Sequence, residues 1–169
     1  NGKQAMMEHA RGLADAGVPF VFDPGQGVPM FDGAELREFV EAATAVVVND
    51  YEAAMLVERT GMSEEDIARK VDALIVTRGG EGSVLYHAGD RAPVEAAPVS
   101  AAVDPTGCGD AYRGGLLYGL ANGWDWLRCA RLGSLMGAIK IECQGPQNHT
   151  IDRETVAQRY ERVWGERPW

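Results

Sequence analysis

Three short apolar runs, Val18 to Phe22, Ala45 to Val48 and Ala73 to Thr77, set the strongest limit on how this chain folds. None alternates polar with apolar residues, so each reads as a strand covered on both faces, the pattern of a parallel sheet. Helical patterns separate them. Residues 3–16 place Met6, His9, Leu13 and Ala16 at three- and four-residue spacing, with Gly17 at the C-terminal cap. Asp32 and Glu35 have capping-box spacing, which predicts a helix over 33–43, and Ser63 to Asp66 opens a shorter one to about Val71. Further on, helices are predicted over 110–121, with Leu116, Leu117 and Leu120 on the core side, over 124–142, and over 152–163, followed by a tail from Trp164 to Trp169. Residues 88–98 read as a loop or an edge strand. Alternating strands and helices of this kind make an α/β sandwich with a mostly parallel sheet.

Each predicted strand ends on a stretch with chemical content, and open α/β sheets place ligands at those carboxyl ends. The first runs into Asp23-Pro24-Gly25-Gln26-Gly27, where Asp23 either forms a turn or lines a site. The second ends on Asn49-Asp50-Tyr51-Glu52, ordinary capping chemistry that also offers Mg²⁺ the carboxylate and water oxygens it prefers. The third closes on Thr77-Arg78-Gly79-Gly80-Glu81-Gly82, a hairpin turn or a ligand-bordering loop, with Ser83 to His87 as a following strand.

The richest stretch is VDPTGCGDAYRGGLLYGL, residues 103–120. Gly107 and Gly109 flank the small Cys108, so three successive backbone N–H groups can converge at a helix start, where free donors and the helix dipole favour an anion. Asp110 stands at the same spot. It either caps the helix or takes a proton from a hydroxyl about to attack whatever the amides hold. Arg113, one turn on, stabilises a phosphate or pairs with a surface acid.

The string Asp104-x-Thr106-Gly107-x-Gly109-Asp110, together with the Asn49-x-x-Glu52 and Thr77-x-Gly79-x-x-Gly82 motifs, resembles the PfkB (ribokinase-like) carbohydrate and nucleoside kinases. FDPGQG, VNDYE and GPQNH are most similar to the bacterial adenosine-kinase-like branch. The resemblance implies a three-layer ribokinase-like sandwich, of which residues 1–169 would be the C-terminal portion, lacking the N-terminal part of the fold. It implies a kinase that moves the γ-phosphoryl group of ATP to a primary hydroxyl of a nucleoside or sugar. Gly107, Cys108 and Gly109 would then be the anion hole and Asp110 the catalytic base. Thr77, Gly79, Gly82 and Thr106 would border the nucleotide, and Asn49 and Glu52 would hold Mg²⁺ through water. Asp104 would serve a monovalent cation such as K⁺, and Asp23 the substrate. Cys108 stands where the family usually has alanine or serine. His149, in the loop after the 124–142 helix, reads as a loop polar residue.

Charge and composition narrow the classes further. A net charge of −9 argues against nucleic-acid and anionic-membrane partners. No uninterrupted apolar stretch is long enough to span a bilayer, and no signal-peptide pattern opens the chain. The three cysteines, 108, 129 and 143, form no C-x-x-C pair, so neither a disulfide framework nor a zinc site is expected. A cytoplasmic setting and homo-oligomer formation are expected, the latter through an uncovered sheet edge. A non-catalytic nucleotide-binding module, or a truncated partner domain, is the competing reading. A dinucleotide-binding oxidoreductase is disfavoured because no G-x-G-x-x-G follows the first strand.

Overall fold

The computed structural model describes residues 2–169. They form two compact units, one running to Arg78 and taking in Val84–Ala92, the other made of Gly79–Ser83 and Pro93–Trp169. In chain order the elements are α1 (Lys3–Asp15), β1 (Val21–Phe22), a 3₁₀ helix (Gly25–Met30), α2 (Gly33–Ala42), β2 (Ala45–Asn49), α3 (Asp50–Thr60), α4 (Glu64–Ala68) and β3 (Ala73–Thr77). A short 3₁₀ turn (Gly79–Glu81) leads to β4 (Ser83–His87) and β5 (Asp90–Val94), and then come α5 (Cys108–Ala121), α6 (Trp126–Ile141) and α7 (Arg153–Trp164).

The sheet has the order β1-β2-β3-β4-β5. β1, β2 and β3 run parallel, with Val21 opposite Ala45, Ala45 opposite Ala73 and Asn49 opposite Thr77. Every residue from Ala45 to Val48 and from Ala73 to Val76 is buried. Side chains alternate between faces along a strand. Val46, Val48, Leu74 and Val76 therefore turn one way, into a core with Leu36, Phe39, Val40, Leu56 and Ile67 from the helices. Val47 and Ile75, which turn the other way, are just as buried. Continuous apolar runs are what a sheet covered on both faces requires, and the expected α/β fold forms, with a mixed sheet whose first three strands are parallel.

β1 is shorter than its sequence promised. Pro19 has no N–H for a ladder, and the Val18 N–H instead closes α1 by donating to Leu13 O (2.9 Å). Phe20 is held next to the sheet by Thr44, whose Oγ1 accepts the Phe20 N–H (3.1 Å) while its own N–H donates to Phe20 O (2.9 Å). Phe22 then stacks on Phe39 with centroids 4.4 Å apart, and Phe31 meets the same ring edge-on at 5.1 Å. The stretch read as a loop after this strand is wound into the 3₁₀ helix. Reciprocal capping boxes start α2 (Asp32 with Glu35), α3 (Asn49 with Glu52) and α4 (Ser63 with Asp66), and α4 ends at Ala68, short of Val71.

β4 and β5 are joined by Ala88 and Gly89, both at positive φ (54° and 86°), the pairing of a type I′ hairpin turn. β5 is an edge strand, as the reading of 88–98 allowed, and β1 is the other. Among the described residues Ala88 is the one non-glycine at positive φ, and it is exposed. An L-residue with a Cβ is disfavoured there, and asparagine tolerates the conformation better. Ala88→Asn is expected to stabilise the fold by about 0.5–1 kcal/mol. The reading is a higher denaturation midpoint at unchanged m-value, and an unmoved or lowered midpoint would refute the turn assignment.

In the second unit α5 and α6 are packed backbone to backbone. A Cβ at Gly115 would lie 2.9 Å from Leu132 O, and one at Gly133 2.9 Å from Tyr112 O. The packed face of α5 is Tyr112, Gly115, Leu116 and Gly119, at helical spacing. Leu117, expected in the core, is 50% exposed. α7 adds Val156 and Tyr160 to a core with Leu132, Leu135 and Ile139. The predicted tail is not loose: the Trp169 ring packs at 6.1 Å from Trp124 and 6.2 Å from Tyr118. No described helix is long and apolar enough to cross a membrane.

Candidate active site

Three of the sequence motifs leave the carboxyl ends of the parallel strands β1, β2 and β3. Asp23 follows β1, and its Oδ1 accepts the Gly25 N–H (3.0 Å) in a local turn. Asn49 ends β2 opposite Thr77 at the end of β3. Asn49 Oδ1 accepts the Glu52 N–H (2.8 Å) and Glu52 Oε2 accepts the Asn49 N–H (2.9 Å), so the capping role is realised. Glu52 is nevertheless 5% exposed, an unusual depth for a carboxylate. Thr77 Oγ1 donates to Val48 O (3.4 Å), tying the two strand ends together. Gly79 and Gly82 close the turn after β3 through a Gly82 N–H to Gly79 O bond (3.1 Å).

In the second unit α5 begins two residues before the expected Asp110. Gly107 is its cap, in the left-handed conformation (φ 83°), with Pro146 O 3.1 Å from where a Cβ would sit. Any other residue there would be strained and crowded. Cys108, Gly109 and Asp110 are the first three helical residues. The Cys108 N–H donates to Pro105 O (3.1 Å), so of the three expected amides this one is engaged in a turn. Gly107, Gly109 and Asp110 supply the first-turn donors. Asp110 is exposed on that turn. The Arg113 guanidinium lies against the Gly109 α-carbon, which places a positive charge beside the amides. Burial pushes the Cys108 thiol up, and its Sγ sits 3.8 Å from Asp104 O, so the thiolate that reagents attack is disfavoured.

Asp104 fixes the loop that leads into this turn. Its Oδ1 accepts the Thr106 N–H (2.9 Å), and its Oδ2 accepts the Gly145 N–H (2.8 Å) and Gln144 Nε2 (3.1 Å). The Thr106 N–H and hydroxyl, then the Gly145 N–H, hold its carboxyl down at about 2. The Val103 and Asp104 N–H groups both donate to Ile141 O (2.8 and 3.1 Å). Beneath lies a residue the motifs did not single out. Lys140 is fully buried, and its Nζ donates to Asp104 O (2.6 Å) and Cys143 O (3.2 Å). Gly133, Gly137 and Lys140 share one face of α6, but nothing in that spacing marks the lysine as buried.

Residues 1–153 match the pfkB family of carbohydrate kinases. A nucleoside kinase of Methanocaldococcus jannaschii is 31% identical over 141 residues, 83% of this chain and 47% of that protein. The structure of a Burkholderia thailandensis nucleoside kinase in complex with inosine is 51% identical, with a TM-score of 0.96 over 98% of this chain and 54% of that one. The same kinase in complex with ADP-inosine matches equally well over 99% of the chain. The chain spans about half the length of the curated relatives it matches.

Proposed function

The chain belongs to the pfkB family of carbohydrate kinases, and from that premise we propose that its gene product transfers the γ-phosphoryl group of ATP to a primary hydroxyl of a nucleoside. The observation that carries this reading is one helical turn. It brings together the amides of Gly107, Gly109 and Asp110, the Arg113 guanidinium and the Asp110 carboxylate. Donors and a base gathered on one turn are what an in-line transfer to a hydroxyl needs. A nucleoside is favoured over a sugar because the nucleoside kinase solved with inosine is 51% identical over nearly the whole chain, and the archaeal relatives that cover 83% and 95% of it are nucleoside kinases.

In this mechanism Asp110 accepts the hydroxyl proton as the substrate oxygen bonds to phosphorus, and ADP departs with the electron pair of the broken P–O bond. The amides and Arg113 face the oxygens that carry the transferred group's charge, and being fixed beforehand they cost no reorganisation. Thr77, Gly79, Gly82 and Thr106 border the nucleotide, and Asp23 lines the substrate side. No group of three metal-ligating side chains exists among the described residues, but a deeply buried carboxylate at Glu52 beside Asn49 fits a Mg²⁺ that keeps most of its waters. Held there through its waters by Asn49 and Glu52, such an ion would supply positive charge to offset that of the phosphates.

The test is nucleoside-dependent ADP formation by the full gene product, with inosine, adenosine, ribose and fructose compared in Mg²⁺ buffer. Turnover of about 1–100 s⁻¹ on a nucleoside is expected. If ATP raised the melting temperature while none of these substrates was phosphorylated, the protein would be a nucleotide-binding module instead.

A further inference from the structure

A monovalent cation does not fit at Asp104. Both carboxylate oxygens are already taken by N–H donors from Thr106, Gly145 and Gln144, and the backbone oxygen of Asp104 is taken by Lys140. We propose that the Lys140 ammonium is itself the cation of this site, a positioning charge that the chain carries in place of K⁺. Three observations support it. The ammonium is fully buried and its two partners are carbonyl oxygens, Asp104 O and Cys143 O, the ligand type that replaces the hydration shell of a monovalent cation. Those carbonyls belong to the loop before the anion hole and the loop after α6, so one charge clamps both segments. Lys140 also continues the α6 face whose Gly137 lies under the first residue of α5, with Cys108 O 3.5 Å from where a Gly137 Cβ would stand.

A second cation would meet strong repulsion. A unit charge about 4 Å from an ammonium, at an effective dielectric of about 20, has its binding weakened roughly a thousandfold. The ammonium thus holds the loop in place, lends positive potential beneath the phosphoryl site, and removes a need for K⁺. The inference deepens the kinase reading, but a melting measurement answers it whether or not phosphoryl transfer is observed.

The experiment takes the full gene product and its Lys140→Ala and Lys140→Met variants through thermal unfolding. Potassium, ammonium, sodium and choline chlorides are compared at equal ionic strength, and ATP consumption is followed in the same salts. The parent protein is expected to melt at one temperature in all four and to turn over within about twofold of one rate. Lys140→Ala vacates a pocket lined by the Asp104 and Cys143 carbonyls. It is expected to melt roughly 10 °C lower in sodium or choline, and to recover several degrees, with turnover, in potassium or ammonium. Lys140→Met fills the space without the charge and is expected to lose stability with no cation rescue. A potassium-specific rise in the parent's melting temperature would overturn the proposal. So would Ala and Met variants that melt like the parent, or an Ala variant lowered equally in every salt, since the lysine would then act by packing alone.

Discussion

Asp110→Asn is expected to lower nucleoside phosphorylation about 10²–10⁴-fold, in kcat far more than in KM, while the melting temperature hardly moves. The two halves of that expectation have separate causes. The carboxylate is exposed on the first turn of α5, so its removal opens no cavity and leaves no buried partner orphaned. Its contribution to stability is that of an acid near a helix N-terminus, about 0.3–1 kcal/mol. Asparagine keeps the shape and can still accept a hydrogen bond from the substrate hydroxyl, so binding survives. It cannot accept the proton that must leave as the new P–O bond forms. Steady-state kinetics with the nucleoside that the parent turns over fastest, set beside a thermal melt, make the comparison. Near-normal kcat in the variant would mean that Asp110 only caps the helix and that the base lies elsewhere.

The parts of this site that sequence could reveal are those governed by local rules. Apolar runs without alternation at Ala45–Val48 and Ala73–Val76 are readable because burial on both faces leaves no choice of residue. The capping boxes are readable because three-residue spacing is all they need. The existence of α5 follows from its apolar spacing, but its cap does not. The sequence placed the start at Asp110, whereas Gly107 caps the helix at positive φ and the Cys108 N–H bonds to Pro105 O across the turn, two residues upstream. What failed depended on partners far away in sequence. Leu117 belonged to a convincing leucine pattern, yet the packed face is set by where glycines admit the backbone of α6, and that face omits it. Lys140 drew no reading at all, because its partners, Asp104 O and Cys143 O, arrive from two different loops. A carbonyl leaves no trace in a sequence, so a cation site built from carbonyls has no motif.

Gly114 and Gly115, adjacent in α5 and identical in composition, are expected to respond to substitution with opposite signs. Gly114 has nothing within 4 Å of where its Cβ would stand. Gly114→Ala trades a flexible unfolded backbone for a helix former and is expected to stabilise the fold by about 0.5–1 kcal/mol. At Gly115 a Cβ would stand 2.8 Å from Met136 Cγ, 2.9 Å from Leu132 O and 3.0 Å from the Gly133 α-carbon. Met136 can swing aside. The carbonyl and the α-carbon are backbone of α6 and can yield only if the two helices part, which unseats Leu116 and Leu135, both fully buried. Gly115→Leu is therefore expected to cost about 3 kcal/mol or more, beyond the usual range for overpacking because backbone rather than side chain must move. Parting the helices would also shift the first turn of α5 from the loop that Lys140 and Asp104 hold, so turnover should fall with stability in this variant and not in Gly114→Ala. Chemical denaturation of the pair, read with activity below the transition, decides it. Equal and small effects at the two positions would mean that α5 and α6 are not in backbone contact, and the geometry under Asp110 would then need another support.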